Sequence, residues 1–295
     1  MNAYLVGPTA VPLEAPFRGE DKVFSATRLD GKTIEDGAFS HCTFANISFK
    51  EVKLTRVRFV HCVFIGCYFR RTDVEESVFT GCRFFDCDFP HIAIRGCDFR
   101  YSKFRTCFIP FAEMELSLPQ EPNLREDLAR NLAVETARLG FPGETRAFRM
   151  CQIRAREEHL KAAVRGDSQW YQDHYDILRR VGAAIQLTSS FLQRHLWGYG
   201  QRSHVLVRNF AILGFGIFPL VFYALRSDLS KTAGNGISLL DILYFSLQNM
   251  LPADIGSTIS ANTSLTRALA GIESLLAMII AGLFVSYLFR SILDR

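Results

Sequence analysis

The sequence predicts a mixed fold: a β-solenoid, an α-helical linker and two transmembrane helices with a short helix between them. Three observations predict it: an apolar period of five residues near the N-terminus, helical patterns broken by Gly and Pro, and two long apolar stretches. We divide the chain into a lead-in cap at 1–23, the solenoid at 24–114, the linker at 115–204 and a membrane unit at 205–295.

The five-residue period begins at Phe24. From there to residue 109 every fifth residue is apolar, and 12 of these 18 residues are Phe. Seven of the eight cysteines lie two positions before such a residue, which predicts a ladder of small buried side chains rather than a metal site. A period of five fits neither a helix nor a flat strand. It predicts a chain that turns a corner every five residues and is stabilised by stacking successive turns.

This repeat resembles the pentapeptide-repeat family, in which Leu or Phe occupies the central position and a small residue lies two before it. The resemblance covers residues 24–109 and is what implies the right-handed, four-sided β-helix. Some members mimic DNA with an acidic surface. Residues 24–114 carry 13 Lys and Arg against 11 Asp and Glu, so we expect neither DNA mimicry nor nucleic-acid binding here.

Helical patterns follow the solenoid. We predict three helices, at residues 123–139, 144–164 and 168–195. Asn123 is the expected cap of the first helix, and Gly166 stops the second. One apolar stripe runs along the third helix and predicts a helix-packing face; it comprises Tyr175, Leu178, Val181, Ile185 and Leu192.

Two apolar stretches, residues 205–225 and 268–289, have the length that a bilayer core requires, about 20 residues. Arginines precede the first stretch and follow the second: Arg194, Arg202, Arg208, Arg290 and Arg295. Because positive residues favour the cytoplasmic side, we expect both chain ends in the cytoplasm and residues 226–267 on the outer side of the cytoplasmic (inner) membrane. The first residues lack the pattern of a signal peptide, in keeping with a cytoplasmic solenoid.

Between the two stretches, Ser238 and Asp241 predict the start of a short apolar helix that ends near Pro252. It is too short to cross a bilayer and too apolar for an exposed loop, which is typical of a re-entrant segment. A span, a half-helix and a second span resemble the pore domain of two-transmembrane potassium-channel-like proteins. By this resemblance, residues 244–251 are the pore helix and 268–276 begin the inner helix.

The resemblance places a selectivity filter after the short helix. At this place the family carries threonine-valine-glycine-tyrosine-glycine, and this chain matches only the final glycine; its own residues are Pro252, Ala253, Asp254, Ile255 and Gly256. Because rings of carboxylates line the less selective cation pores, we predict that Asp254 contacts the ion. Capping of the helix turn, or hydration in an external loop, remains an alternative for Asp254.

Two further residues are predicted to support the pore. Glu273 is an ionisable group inside a predicted span, where it either acts in function or ties the inner helix to the filter loop. Gly282 serves either as a gating hinge or as a site of close helix packing, and the sequence leaves both open. A glycine-tyrosine-glycine triplet at residues 198–200 precedes the first span and is interpreted as a turn at the membrane interface.

Together these features predict a cation channel subunit that acts as a homotetramer in the lipid bilayer, with monovalent or divalent cations as permeant ions. A cytoplasmic protein or a small molecule is the expected ligand of the solenoid. The alternative is a membrane-anchored scaffold whose solenoid binds a protein and which conducts no ions. No catalytic motif, metal-ligand spacing or cofactor fingerprint appears in the sequence, so we expect neither an enzyme nor a cofactor.

Overall fold

A computed structural model describes residues 12–200, 203–231, 236–251 and 259–293. The chain divides into two compact units, Met1–Ala184 and Ile185–Arg295.

The first unit begins with short parallel strands of three residues each. In chain order these are β1 Arg18–Glu20, β2 Val23–Ser25, β3 Thr33–Glu35, β4 Ala38–Ser40, β5 Thr43–Ala45, β6 Lys53–Thr55, β7 Arg58–Val60, β8 Val63–Ile65, β9 Asp73–Glu75, β10 Val78–Thr80, β11 Arg83–Phe85, β12 Ala93–Arg95 and β13 Lys103–Arg105. They form three sheets with the orders β1-β4-β7-β10, β13-β11-β8-β5-β2 and β12-β9-β6-β3. Isolated parallel bridges such as Ser48 to Tyr68 make the fourth side.

The register shows how the repeat builds this fold. Phe44 pairs with Phe64, and Phe64 with Phe84, so each residue lies beside the one 20 positions later. Twenty residues make four sides of five, and the predicted β-solenoid is confirmed, with about four turns. β1 lies within the predicted lead-in cap at 1–23. Gly19, the central residue of β1, continues the five-residue series. Because glycine has no side chain, the apolar pattern of the sequence does not reveal this position.

Each corner of the solenoid needs an unusual backbone conformation. Non-glycine residues with positive φ recur there at five-residue spacing, such as His41 (51°), Asn46 (52°) and Arg56 (53°). L-amino acids rarely adopt this region. The stacked coils compensate, because the corner N–H groups donate to the next coil, as from Asn46 N to Ile65 O at 2.8 Å. The corners are therefore stable only as part of the stack.

The core consists of columns of stacked apolar side chains, several of them made of Phe rings. The rings of Phe44, Phe64 and Phe84 stack at centroid distances of 4.8 and 4.7 Å, which match the spacing of neighbouring strands of about 4.7–4.9 Å. The seven repeat cysteines are buried beside them as free thiols, as the period predicts. Burial raises the pKa of Cys97 to about 11, so this thiol stays protonated and inert at neutral pH.

Helices close the C-terminal end of the solenoid: α1 Phe111–Met114, α2 Pro122–Arg138 and α3 Pro142–Arg165. Asn131 on α2 accepts from Phe104 N (2.7 Å) and donates to Phe104 O (2.9 Å), and the Glu135 carboxylate accepts from Thr106 N (2.8 Å). These side chains satisfy backbone groups of the last coil, which a further coil would otherwise cover.

The linker differs from the prediction in two places. Helix α2 starts at Pro122, with Glu121 rather than Asn123 in the capping position, since proline suits the first turn. Gly166 ends α3 in a left-handed conformation (φ 73°), as predicted. The predicted third helix is two helices, α4 Gln169–His174 and α5 Ile177–Trp197. They separate because Asp176 caps α5, accepting from Arg179 N at 2.9 Å.

The second unit contains the apolar helices. Its elements are α6 Ser203–Ile212, a π-helical turn Leu213–Ile217, α7 Phe218–Ala224, β14 Leu229–Lys231, α8 Leu239–Met250, β15 Ile259–Ala261 and α9 Ser264–Leu293. Two helical stretches, His204–Ala224 and Ser264–Phe289, are long and apolar enough to cross a membrane. The strands β14 and β15, which the sequence did not predict, pair antiparallel, with Lys231 opposite Ile259.

Candidate functional site

Helix α8 lies along the first apolar stretch and runs antiparallel to it. Near the start of α8, the Asp241 carboxylate accepts from Lys231 Nζ at 2.7 Å, just beyond the end of α7. One turn later, the ring of Phe245 contacts that of Phe222 edge to face at 5.1 Å. Near the end of α8, Ser246 Oγ donates to Gly214 O at 3.3 Å. The 12-residue helix thus stops beside the middle of the apolar stretch.

The contact at Gly214 depends on two features of the first apolar stretch. The π-helical turn directs the carbonyl of residue 214 toward residue 219, and Pro219 has no N–H to give it. The hydroxyl of Ser246 lies within hydrogen-bond distance of this carbonyl and shares its single proton between it and the Glu273 carboxylate. Glycine leaves room for the Met250 side chain here, because a β-carbon at position 214 would lie 2.5 Å from Met250 Sδ and the thioether would have to move.

A buried polar cluster joins α8 to α9. The side chain of Glu273 is 1% exposed, and its carboxylate accepts from Ser246 Oγ and, at 3.0 Å, from Asn249 Nδ2. Ser274 Oγ donates to Asn249 O at 2.7 Å. Within the part of the chain that the structure describes, no cation lies in ion-pair contact with Glu273. Its partners are therefore neutral donors on α8.

The start of α8 is held by charge as well as by capping. Ser238 Oγ accepts from Asp241 N at 3.2 Å, and Asp241 accepts from Ser238 N at 2.9 Å, which completes a capping box. The hydrogen bond from Lys231, followed by those from Ser238, lowers the pKa of Asp241 to about 2. This carboxylate is thus ionised at neutral pH and links β14 to α8.

The predicted filter residues lie outside the described residues: Pro252, Ala253, Asp254, Ile255 and Gly256. Their two ends are described. Leu251 follows α8, next to the Gly214 contact, and Ile259 pairs with Lys231, beyond the end of α7. Gly282 lies in α9, and no atom of the described chain is within 4 Å of a β-carbon placed there. Close packing at Gly282 therefore has no partner within the described part of this chain.

The two long apolar helices are mostly uncovered. Only 33% of the most apolar window of His204–Ala224 and 11% of that of Ser264–Phe289 are buried inside the chain. The core helix of a soluble protein would be mostly buried. These exposed apolar surfaces need lipid or further copies of the chain around them.

Sequence reasoning missed most of the partners in this site. It singled out Glu273 but not Ser246 or Asn249, which bind it. Their spacing of three residues places both on one face of an otherwise apolar helix, and this was the available signal. Nothing in the sequence indicated that the carbonyl of Gly214 accepts a hydrogen bond from α8.

Comparisons with known proteins concern the solenoid. Residues 33–113 match the family described as pentapeptide repeat region, and the match does not reach the two apolar helices. No curated protein matches the chain.

Three solved structures with partial similarity come from two proteins, a pentapeptide repeat protein and a fluoroquinolone resistance protein. The pentapeptide repeat protein Rfr23 from the cyanobacterium Cyanothece 51142 has 10% identity and a TM-score of 0.30, covering 32% of this chain and 78% of that one. Full-length QnrB1, a plasmid-mediated fluoroquinolone resistance protein, has 15% identity and a TM-score of 0.16, covering 29% of this chain and 59% of that one. A trypsin-treated QnrB1 variant has 18% identity and a TM-score of 0.17, covering 28% of this chain and 60% of that one. The five-residue repeat, the geometry of its coils and the family match agree: the N-terminal part of this chain is a pentapeptide-repeat region.

Proposed function

We propose that this chain is a subunit of a cation channel in the cytoplasmic membrane, with both chain ends and the pentapeptide-repeat region in the cytoplasm. The observation that carries the proposal is the path of the chain around α8. Helix α8 starts beside Lys231 and reaches Gly214, at the middle of the first apolar stretch. Further along the chain, Ile259 again lies beside Lys231.

The depth of this path follows from helix geometry. Gly214 precedes Ala224, the last residue of the apolar stretch, by ten residues, which at 1.5 Å per residue is about 15 Å. This is about half of a hydrocarbon core of about 30 Å. A short helix that enters to mid-depth and returns on the same side is tolerated in a membrane where it is buried in protein or lines a water-filled path.

The polar groups at the end of α8 also favour this function. The carboxylate of Glu273 and the amide of Asn249 would be costly at mid-depth in a helix that serves only as an anchor. In the proposed channel they hold the C-terminal end of α8 in place. That end carries the negative pole of the helix dipole, which favours a cation nearby.

The assembly follows from the same geometry. A single re-entrant segment does not enclose a path, so several copies must surround one axis. The resemblance to two-transmembrane potassium-channel-like proteins gives four, and the exposed apolar surface of α9 provides area for contacts between copies and with lipid. In this homotetramer, residues 252–256 form the constriction and Asp254 supplies a ring of four carboxylates.

The test is ion flux in liposomes that contain the purified full-length protein. Wild type is compared with Asp254→Asn and with Asp228→Asn, which removes the same charge from the same connecting segment outside the predicted filter. We expect cation flux in wild type, a lower ratio of cation to chloride permeability in Asp254→Asn, and an unchanged ratio in Asp228→Asn.

Other outcomes discriminate among the alternatives. Equal effects of the two substitutions would remove Asp254 from the pore. Absence of flux from protein shown to be folded and inserted, over a range of voltage and ion gradients, would favour the membrane-anchored scaffold. For that function the readout is capture of a cytoplasmic protein or a small molecule by the solenoid.

A further inference from the structure

Helix α5 presents an uncovered apolar face. Its residues at helical spacing are Leu178 (80% exposed), Val181 (53%), Ile185 (66%), Leu192 (49%) and Leu196 (48%). We predicted a helix-packing face here, and within the described chain nothing packs on it. An amphipathic helix that exposes its apolar side to water has a missing partner.

The less exposed residues of α5 lie on the side of the helix away from this apolar face. Ala183 is buried, and Leu187 is half-buried. Tyr199 Oη donates to Ser190 O at 2.8 Å, on the same side of the helix.

The C-terminal end of α5 is tied to the start of the first apolar stretch. Asn209 Nδ2 donates to His195 O at 2.6 Å and to Leu196 O at 2.8 Å, and Arg208 also donates to His195 O at 3.2 Å. Asn209 is five residues after His204, where the apolar stretch begins. If that stretch spans a membrane, the end of α5 lies at the membrane surface.

The charge of this region is entirely of one sign. From residue 177 to residue 227 there is no Asp or Glu, whereas residues 177–208 contain five Arg. Such a segment is attracted to the anionic headgroups of a cytoplasmic leaflet. Trp197 ends the helix, and tryptophan is enriched at the membrane interface.

A second copy of α5 fits this face less well. The heptad positions that continue the stripe carry Thr188 and His195, which interrupt a coiled-coil seam. Two copies of a helix with Arg and no acidic residue would also repel each other, because no cross-helix ion pair is available to them.

We propose that the apolar face of α5 lies in the interface of an anionic phospholipid bilayer, parallel to the membrane surface. The inference rests on the first apolar stretch spanning that membrane, and it is independent of ion conduction. Its consequence is that lipid composition influences the position of the segment that joins the pentapeptide-repeat region to the first span.

The experiment measures the accessibility of spin labels in the full-length protein in liposomes. Cys151 is replaced by Ser, and the seven buried solenoid cysteines should take up no label, which the parent protein checks. One label is placed at Leu192→Cys on the apolar face and a matched one at Gln186→Cys, an exposed polar position about 120° around the helix. A third, at Leu220→Cys, reports the exposed surface of the first span. Vesicles contain phosphatidylcholine alone or with phosphatidylglycerol.

In vesicles with phosphatidylglycerol, we expect collisions with a water-soluble nickel chelate to be at least about fivefold rarer at 192 than at 186, since an interfacial helix buries its apolar face about 5–10 Å. Collisions with oxygen should be more frequent at 192. The contrast should decrease in phosphatidylcholine alone.

Several outcomes would overturn the proposal. Equal nickel accessibility at 192 and 186 would place the face in water. Protection at 192 from both reagents, with spin–spin broadening, would identify a second copy as the partner. An unchanged contrast without phosphatidylglycerol would exclude the anionic surface. Nickel accessibility at 220 would show that the predicted first span is wrong, and the channel proposal would lose its basis. Protection at 220 together with exposure at 192 would overturn only the proposal about α5.

Discussion

The close approach of α8 to Gly214 makes a sharp prediction about two glycines in the same turn. In Gly214→Ala, the new β-carbon would lie 2.5 Å from Met250 Sδ, with Met250 Cε at 3.5 Å. Restoring an ordinary contact of about 3.5 Å requires the sulfur to move back by about 1 Å. Gly216 is two residues away, and a β-carbon there meets no atom within 4 Å.

Two opposing effects set the change in the free energy of unfolding of each variant. Alanine favours a helix over glycine by up to about 1 kcal/mol, and both variants gain this. Overpacking costs about 1–3 kcal/mol, and the lower end applies to Gly214→Ala because the atom that must move belongs to the flexible end of the Met250 side chain. We therefore expect the free energy of unfolding of Gly214→Ala to be about 1 kcal/mol below that of Gly216→Ala.

The assay is denaturant unfolding of the purified protein in detergent, followed by ion flux in liposomes. Because Met250 is the last residue of α8, its displacement should also disturb the segment that follows, so flux should decrease in Gly214→Ala and not in Gly216→Ala. Equal stability of the two variants would refute the contact between α8 and the first apolar stretch.

Further predictions concern the polar cluster, the solenoid and pH. Glu273→Gln should keep the stability of wild type within about 1 kcal/mol, because the new amide can donate to Ser246 and accept from Asn249. Glu273→Ala should lose about 1–3 kcal/mol, because it leaves the Asn249 amide unpaired. Equal losses of the two variants in denaturant unfolding would contradict this. Phe64→Ala should destabilise the solenoid by about 3–5 kcal/mol and the exposed Tyr101→Ala by less than about 0.5, compared by circular dichroism during unfolding. The pKa of Asp241, about 2 instead of 3.8, implies stabilisation that is complete above about pH 4 and is lost as the pH falls toward 2. Asp241→Asn should show no such loss in unfolding measured against pH, and a loss as large as that of wild type would argue against the link to Lys231.

Much of the fold was predictable because its causes are local. The five-residue period identified the inward-facing residues of the solenoid, and each of them needs only its counterpart 20 positions along. The capping pair Ser238 and Asp241 identified the start of α8 in the same way. Gly19 escaped notice because a residue without a side chain leaves no mark in an apolar pattern.

The candidate site was less predictable because its contacts join distant parts of the chain. Ser246 meets Gly214 and Glu273 across 32 and 27 residues, and the pairing depends on how three apolar helices rotate against one another. A helix that is apolar on all sides, such as α9, does not reveal in its sequence which side faces a neighbour.

The sequence by itself determined the repeat, the presence of two long apolar stretches and the short helix between them, since periodicity, length and capping are properties of neighbouring residues. Only the tertiary structure decided that α8 ends beside Gly214, that neutral donors surround Glu273, and that the apolar face of α5 is uncovered. The physical reason is that burial and hydrogen bonding at these positions are set by packing between elements, which no local pattern specifies.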